Sequence, residues 1–267
     1  DEFVDNNGGL AGAMNGRVLI VEDNRVNQRV ALALLANLGI KADVLENGKE
    51  ALDRVKDSTY DLILMDCQMP VMDGYQAARE IRAQEQTGRQ PIVALTANVS
   101  AEDVARCFEA GMDGFLAKPL ELSSLKQELE KWLTPAVSVQ NDSGDLEFTN
   151  QGTTLSGEII LNEVRLRELS DLLGEDDFPE LLTVFKDDAA DIINQLNNLN
   201  SADQSEIYAL AHKLKSSASN VGVIQVSDVA AKIEADAKAG SLIDFQEKLE
   251  RLENAVDTAL IALSDWG

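Results

Sequence analysis

The chain has 267 residues, enough for two domains of ordinary size that each bury a core of their own. Its 47 acidic and 23 basic side chains give a net charge of -24, which argues against nucleic acid and anionic membrane as partners, because both select basic surfaces. The two cysteines, Cys67 and Cys107, have neither the number nor the spacing of a disulfide framework or a zinc site, and this fits a reducing compartment.

No apolar run reaches membrane-spanning length and no signal peptide is visible, so we expect a cytoplasmic protein without membrane contact in this part of the chain. The sequence begins with Asp1 and not with Met. We therefore expect a fragment of a longer parent, whose remaining part can include a sensor or an anchor in the inner membrane.

The first half of the chain alternates between apolar strand-like runs and segments with helical spacing. Residues 1–15 carry few periodic apolar residues and are interpreted as a tail or linker remnant. Five strand-helix units follow, which predicts a doubly wound parallel α/β domain over residues 16–134. The predicted strands are Arg17–Val21, Lys41–Leu45, Leu62–Met65, Pro91–Leu95 and Gly114–Ala117, and the predicted helices are Val26–Leu38, Gly48–Val55, Tyr75–Arg82, Ala101–Ala110 and Leu122–Leu133.

The second half has a different composition. Residues 135–158 are rich in Ser, Asn, Gln, Gly, Thr and Asp, which is typical of a flexible linker. Beyond them we find no strand pattern, and the helical spacing predicts an all-α bundle over residues 159–267. The predicted helical segments are Leu161–Leu173, Phe178–Leu199, Ser205–Ser219, Val226–Ala239 and Leu242–Leu263.

Chemically notable residues follow the predicted strands of the first domain. Asp66 stands at the carboxyl end of the third strand, where ligands bind in open parallel sheets, although a lone Asp there is more often a helix cap. Glu22 and Asp23 follow the first strand, Thr96 the fourth and Lys118 the fifth. Three carboxylates and one lysine leave a local charge near -2, which Mg²⁺ would offset. With Lys118 and Thr96 holding phosphoryl oxygens on Asp66, this pattern indicates phosphoryl transfer.

These motifs match a known family in order and spacing. The chain resembles the receiver domain of two-component signalling over roughly Gly16 to Thr134. The resemblance implies a flavodoxin-like sheet with strand order 2-1-3-4-5. The matching residues are Glu22-Asp23-Asn24, Asp66, Met69-Pro70, Asp73-Gly74, Thr96-Ala97 and Lys118-Pro119.

The resemblance also implies roles for single residues. Asp66 is then the phosphoacceptor, and Glu22, Asp23 and the backbone carbonyl of Gln68 hold Mg²⁺ with it. Thr96 and Lys118 contact the phosphoryl group, and the Lys118-Pro119 bond matches the cis peptide of the family. Phe115 matches the aromatic switch position, although taken alone it is better interpreted as a core strand residue.

A rival enzyme class uses the same kind of nucleophile. An aspartyl phosphatase of the haloacid-dehalogenase type also carries an Asp at a strand end, and it expects a second Asp two residues later as general acid. This chain has Gln68 at that position, so the phosphatase interpretation is disfavoured.

The chain has one histidine, His212, and a lone histidine on a helix is usually structural. His212, Lys215, Ser216 and Ser219 lie at i, i+3, i+4 and i+7, which places them on one stripe away from the apolar positions. Serines are indifferent helix formers, so helix stability does not explain them. A stripe of small residues beside an exposed imidazole favours docking of another domain, with Lys215 as a cation for phosphoryl oxygens.

This stripe belongs to a second resemblance. The sequence Ala211-His212-Lys213-Leu214-Lys215 with Asn220-Val221-Gly222 resembles the histidine-containing phosphotransfer (HPt) domain, over about Ile159 to Gly267. That family is a helical bundle with an exposed phosphoacceptor histidine. Ser216 departs from the family, which commonly has Gly there, and we expect slower docking at most.

Together the two resemblances imply a reversible phosphorelay. The histidine of an upstream kinase domain, on another chain or on the same full-length chain, phosphorylates Asp66, and His212 passes the group to the receiver domain of a downstream response regulator. We find no nucleotide-binding motif of a kinase, and the order of the domains resembles the carboxyl-terminal half of a bacterial hybrid sensor histidine kinase. The alternative is a non-catalytic docking or scaffold module.

Overall fold

The structure is a computed structural model that describes residues 14–85, 88–97, 99–135, 152–155, 158–264 and 266. The chain divides into two compact units, one built on a five-stranded sheet and one on the carboxyl-terminal helices. Residues 1–13 and 136–151 lie outside the described residues. The predicted boundaries of the tail and of the linker therefore stay predictions.

The first unit follows the predicted alternation of strands and helices. Its elements are β1 (Met14–Asn15), β2 (Arg17–Val21), α1 (Arg25–Asn37), β3 (Lys41–Leu45), α2 (Gly48–Asp57), β4 (Leu62–Asp66), α3 (Gly74–Gln84), β5 (Ile92–Thr96), α4 (Ala101–Glu109), β6 (Gly114–Ala117), α5 (Leu122–Trp132) and β7 (Thr134–Pro135). The five longer strands pair in parallel in the order β3-β2-β4-β5-β6, which confirms the predicted order 2-1-3-4-5.

The central strands are buried because helices cover both faces of a sheet whose crossovers are helical. Every residue of β4 and β5 is buried. Helix starts are fixed by side chains that accept the first free amide protons: Asn47 caps α2, Asp73 caps α3 and Ser100 caps α4. The last residues of the parallel strands therefore lie at one edge of the sheet, and a helix follows each strand in the sequence.

The two cysteines lie together in the core of the first unit. Both are buried and both are free thiols, with their sulfur atoms 3.9 Å apart. Cys67 is therefore a small buried side chain, although it directly follows Asp66 in the sequence.

The second unit begins with a hairpin that the sequence patterns did not reveal. Strands β8 (Gly152–Leu155) and β9 (Glu158–Asn162) pair antiparallel, so the prediction of no strand beyond the linker is wrong. The prediction that a helix begins at Leu161 is also wrong. Leu161 forms an antiparallel bridge with Val223, and the side chain of Asn162 accepts from the Arg165 amide and starts the helix there.

Among the residues that the structure describes, four helices complete the second unit: α6 (Glu163–Asn197), α7 (Gln204–Val221), α8 (Ile224–Lys238) and α9 (Phe245–Ser264). Each packs on the next, and α6 also packs on α9, which gives the predicted helical bundle. The predicted interruption at Gly174 is present as a residue with φ 78° inside α6, and Gly222 ends α7 in the left-handed conformation with φ 93°. None of the described helices combines the length and apolarity needed to cross a bilayer.

Candidate functional site

The strand register brings the predicted residues of the first unit to one edge of the sheet. Val21 pairs with Met65, so Glu22 follows its strand at the level of Asp66. Asp66 pairs with Leu95, which places Thr96 one step beyond it. Thr96 pairs with Ala117, and Lys118 is the next residue. The carboxyl ends of four neighbouring strands therefore meet in one site, as the sequence predicts.

Lys118 connects two carboxylates in this site. Its Nζ lies 2.8 Å from Asp66 Oδ2 and 2.6 Å from Glu22 Oε2. The side chains of Lys118, Asp66 and Glu22 are only 4%, 5% and 2% exposed, respectively. Charges this deeply buried are retained only when they are paired, so the lysine and the two carboxylates depend on one another.

The electrostatics of Lys118 reflect this pairing. Burial alone would lower the pKa of its ammonium group, because the charged form loses its hydration. The negative charges and hydrogen bonds of Asp66 and Glu22 outweigh that penalty and hold the pKa of Lys118 above its usual value. Lys118 is therefore a fixed positive charge beside Asp66 at every physiological pH.

Asp23 adds a third carboxylate to this edge. Oxygen atoms of Glu22, Asp23 and Asp66 all lie within 4.8 Å of one another, which makes them a cluster able to hold a metal ion. Hard oxygen donors in a group of three suit Mg²⁺, which binds through one or two carboxylates and otherwise keeps water and phosphate oxygens. The three carboxylates therefore fit that ion. The backbone amide of Gln68 donates to Asp66 Oδ1 at 3.1 Å, and this hydrogen bond orients the carboxylate.

The loop after Asp66 is packed tightly against it. The Gly74 amide donates to the Cys67 carbonyl at 3.2 Å. A Cβ atom on Gly74 would lie 2.1 Å from the Asp66 carbonyl oxygen, so only glycine fits this close approach. The Asp73-Gly74 motif therefore both caps α3 and holds the loop against the backbone of Asp66.

Thr96 and Phe115 lie on the strands that complete the site. Thr96 is buried, and its carbonyl accepts from the Lys118 amide at 2.8 Å. Phe115 is 36% exposed, because residues on β6 alternate between the core and solvent. The interpretation of Phe115 as a core residue is therefore wrong. The peptide bond between Lys118 and Pro119 is cis, as the resemblance implies.

His212 lies on α7 in the second unit, far along the chain from the first site. Two side chains of the bundle contact the imidazole: the Tyr208 ring stacks on it with centroids 6.2 Å apart, and a carboxylate of Glu234 on α8 lies against it. Lys215, Ser216 and Ser219 of the predicted docking stripe lie on the same helix as His212. The exposure of the imidazole and of this stripe stays a prediction.

Glu234 organises the polar groups around His212. Its Oε1 lies 2.6 Å from His212 Nδ1, and its Oε2 accepts from Lys215 Nζ at 2.5 Å. Burial alone would raise the pKa of the Glu234 carboxyl, but the hydrogen bonds from His212 and Lys215 hold it below its usual value. With Nδ1 engaged by a carboxylate, Nε2 is the ring nitrogen left to act as a nucleophile.

Comparison with family models shows to which families the two domains belong. Residues 18–130 match the model of the response regulator receiver domain, and residues 180–264 match the model of the Hpt domain. Together the two models match more than half of the chain. The chain belongs to the receiver domain family in its first part and to the Hpt domain family in its second. It carries a receiver domain that contains Asp66, followed by an Hpt domain that contains His212.

Individual relatives match large parts of this chain. The aerobic respiration control sensor protein ArcB of Escherichia coli O157:H7 is 34% identical over 220 residues, which is 81% of this chain and 27% of ArcB. Hybrid signal transduction histidine kinase K of Dictyostelium discoideum is 44% identical over 121 residues, which is 43% of this chain and 10% of that protein. Across eight curated relatives that it matches, the chain spans between 6% and 27% of the relative's length.

A solved structure is also similar to the receiver domain. It is the receiver domain of a sensor histidine kinase from Pseudomonas aeruginosa PAO1, with a magnesium ion coordinated in its active site cleft. The identity is 47%, the match covers 44% of this chain and 97% of that chain, and the TM-score is 0.42.

Glu234 is the residue of the Hpt site that the sequence patterns missed. His212 precedes the turn at Gly222 by 10 residues, and Glu234 follows it by 12. Two helices joined by so short a turn run antiparallel, so residues at similar distances from the turn lie at the same level. A search for polar residues placed in this way about Gly222 would have found Glu234.

Proposed function

We propose that this chain relays a phosphoryl group from Asp66 to His212. The histidine of an upstream kinase domain phosphorylates Asp66, and His212 takes up the group and passes it to the receiver domain of a downstream response regulator. The main support for this proposal is the buried contact between Lys118 and Asp66, which lies beside two further carboxylates. In this contact a positive charge lies next to the carboxylate that we propose as acceptor.

At the receiver site the carboxylate of Asp66 is the nucleophile. Its two oxygens are held by the Gln68 amide and by Lys118, so the carboxylate keeps one orientation. Lys118 offsets negative charge on the phosphoryl oxygens, and the Thr96 hydroxyl supports them from the neighbouring strand. Phe115, exposed on the adjacent strand, serves as the aromatic switch that responds to Thr96.

Glu22, Asp23, Asp66 and the Gln68 carbonyl are the residues that we assign to Mg²⁺. When bound, the ion neutralises charge that develops on the phosphoryl group during transfer. The chain itself supplies the converging carboxylates, whose mutual repulsion Lys118 relieves by contacting two of them.

At the Hpt site the Nε2 lone pair of His212 attacks phosphorus. The Nε2–P bond forms as the bond between phosphorus and the Asp66 oxygen breaks, and the carboxylate leaves with the electron pair. Lys215 supplies positive charge near the arriving group. Ser216 and Ser219 provide the small side chains against which a partner domain docks.

We assign the ATP-dependent step to a kinase domain outside these 267 residues, in a parent of the hybrid sensor histidine kinase type located in the cytoplasm or at the inner membrane. The 34% identity to ArcB across both domains supports this assignment.

Labelling with a small phosphodonor tests the assignment of Asp66. Incubation of the chain with acetyl phosphate and Mg²⁺ is expected to give a base-labile acyl phosphate, because the activated donor replaces the kinase. Asp66→Asn and removal of Mg²⁺ by EDTA should each abolish this label. Asp73→Asn is the matched control, because Asp73 lies in the same loop and asparagine also caps a helix. Base-labile label that persists in Asp66→Asn would exclude Asp66 as the acceptor.

A further inference from the structure

The two cysteines of the receiver domain form a pair next to the acceptor site. Cys67 directly follows Asp66, the last residue of β4, and Cys107 lies on α4. Their sulfur atoms are 3.9 Å apart, so the two free thiols are in van der Waals contact. Thiols this close need only a small movement to form a disulfide. The proposed phosphoryl transfer uses neither of them.

The surroundings of Cys107 favour its reactive form. Hydrogen bonds from Cys67 and Tyr75 lower the pKa of the Cys107 thiol to about 7, although burial acts in the opposite direction. The guanidinium carbon of Arg106 lies 4.6 Å from the centre of the Tyr75 ring and brings positive charge to this cluster. Peroxides react with a thiolate and not with a thiol. Cys107 is therefore the sulfur that we expect to be oxidised first.

The packing of α4 determines how an oxidant reaches this sulfur. Cys107 is fully buried, so the helix must open before the thiolate meets a reagent from solvent. All nine residues of α4 are described, and Cys107 is the one buried residue among them. A helix with so few buried side chains opens at a lower free-energy cost than the core strands. A small hydroperoxide can therefore reach Cys107 during brief openings of α4.

A disulfide here would join a firmly held residue to a loosely held helix. The Cys67 amide donates to the Leu95 carbonyl at 3.1 Å, and the Cys67 carbonyl accepts from the Gly74 amide at 3.2 Å. Drawing the two sulfur atoms together therefore moves α4 more than it moves Cys67. Because α4 begins at Ala101, soon after Thr96 at the end of β5, a shift of this helix reaches the residue that we assign to the phosphoryl oxygens.

We propose that Cys67 and Cys107 are a redox modification site, where a hydroperoxide produces an intramolecular disulfide that slows the phosphorylation of Asp66. The effect on Asp66 rests on the proposed function, whereas the formation of the disulfide does not. The reducing compartment that the cysteine count favours fits this site, since disulfides in such compartments are usually transient and redox-sensing. The receiver domain then accepts phosphoryl groups slowly while peroxide is present and recovers when the bond is reduced.

The atoms and electrons balance in two steps. The Cys107 thiolate attacks one oxygen of the hydroperoxide, the O–O bond breaks, and the other oxygen leaves with the electron pair and takes up a proton. Cys107 is then a sulfenic acid. The sulfur of Cys67 attacks the sulfenic sulfur, the S–O bond breaks, and water leaves with the proton of the Cys67 thiol. The two thiols thus lose two electrons to the hydroperoxide, and a dithiol returns them by thiol–disulfide exchange.

The experiment uses the full chain, purified with a reductant that is then removed. Hydrogen peroxide is added and destroyed with catalase, and half of the sample then receives dithiothreitol. Mass spectrometry without reductant reports the loss of two hydrogen atoms and any peptide that joins Cys67 to Cys107. The chain has two cysteines, so a disulfide within one chain can only be this one. The rate of base-labile labelling with acetyl phosphate and Mg²⁺ reports the reactivity of Asp66.

Cys107→Ala is the matched variant. It cannot form the disulfide but keeps all five methionines, so methionine oxidation by peroxide affects it and the parent chain alike. Dithiothreitol reduces a disulfide but not a methionine sulfoxide. The parent chain before and after dithiothreitol therefore decides the result even if Cys107→Ala does not fold.

We expect peroxide to convert the parent chain to the disulfide form and to slow the labelling of Asp66 about tenfold, within the range for a group misplaced by about 1 Å at a reacting centre. Dithiothreitol should restore both the mass and the rate. The same treatment should leave the labelling rate of Cys107→Ala unchanged.

Two results would overturn the proposal: a parent chain that keeps both thiols after peroxide, and a disulfide form that is labelled as fast as the reduced chain. The proposed function fails separately. If the reduced parent chain takes up no base-labile label, Asp66 is not the acceptor, and the mass alone decides whether the two cysteines are a redox site.

Discussion

Replacing Lys118 with methionine is expected to destabilise the receiver domain by about 3–5 kcal/mol at neutral pH without Mg²⁺. Methionine fills a similar volume but leaves Asp66 and Glu22 as buried carboxylates without the cation that contacts them both. Urea unfolding followed by the fluorescence of Trp132 measures the change, in chains that carry Trp266→Phe so that the signal comes from the receiver domain.

The control for this prediction is Lys126→Met, because Lys126 is an exposed lysine on α5. We expect its effect to stay within about 0.5 kcal/mol. Added Mg²⁺ should reduce the cost of Lys118→Met, since the ion supplies positive charge to the same carboxylates. Equal stability of the Lys118→Met chain and its parent would contradict the paired arrangement.

The stabilisation by Lys118 also has a defined pH dependence. The pKa of Lys118 is raised in the folded state, so its contribution is fully present below the unfolded pKa of about 10.4. As the pH rises above that value and through the folded pKa, the proton is lost and the contribution disappears. The difference between the parent and Lys118→Met should therefore narrow only in strong alkali.

The second large effect is expected at His212. His212→Gln should abolish all acid-labile phosphoryl label, because the chain has no other imidazole to carry it. The base-labile label on Asp66 should remain and accumulate, since its internal acceptor is gone. Phosphorylation with acetyl phosphate and Mg²⁺, followed by acid and base treatment, measures both forms.

Tyr208→Phe serves as the control for this substitution, because it keeps the ring that stacks on His212 while altering a neighbour on the same helix. It should retain acid-labile label. If the parent chain never carries acid-labile label although Asp66 is phosphorylated, the helical unit is the scaffold that the alternative interpretation describes.

Much of the receiver site was predictable because it depends on strand order alone. Residues that follow parallel strands reach the same edge whatever the side chains between them, so Glu22, Asp66, Thr96 and Lys118 could be brought together from sequence. The position of Phe115 was harder to predict, because an aromatic residue in a short strand usually packs in the core. The alternation of buried and exposed residues along β6 shows that its side chain lies on the exposed face.

The Hpt site was only partly predictable for a different reason. The spacing of Lys215 from His212 follows from the helix repeat, but Glu234 reaches His212 across two helices, and that contact depends on how they pack. The hairpin of β8 and β9 was not predicted because β8, Gly152–Leu155, is short and its composition resembles that of a linker.

The most direct test of the relay follows one phosphoryl group within the full chain. The chain is labelled on Asp66 with acetyl phosphate and Mg²⁺, the donor is removed, and the base-labile and acid-labile fractions are measured over time. The proposed relay predicts that acid-labile label appears as base-labile label declines, and that His212→Gln prevents its appearance. Decay of the base-labile label to inorganic phosphate alone, with no acid-labile label at any time, would contradict it.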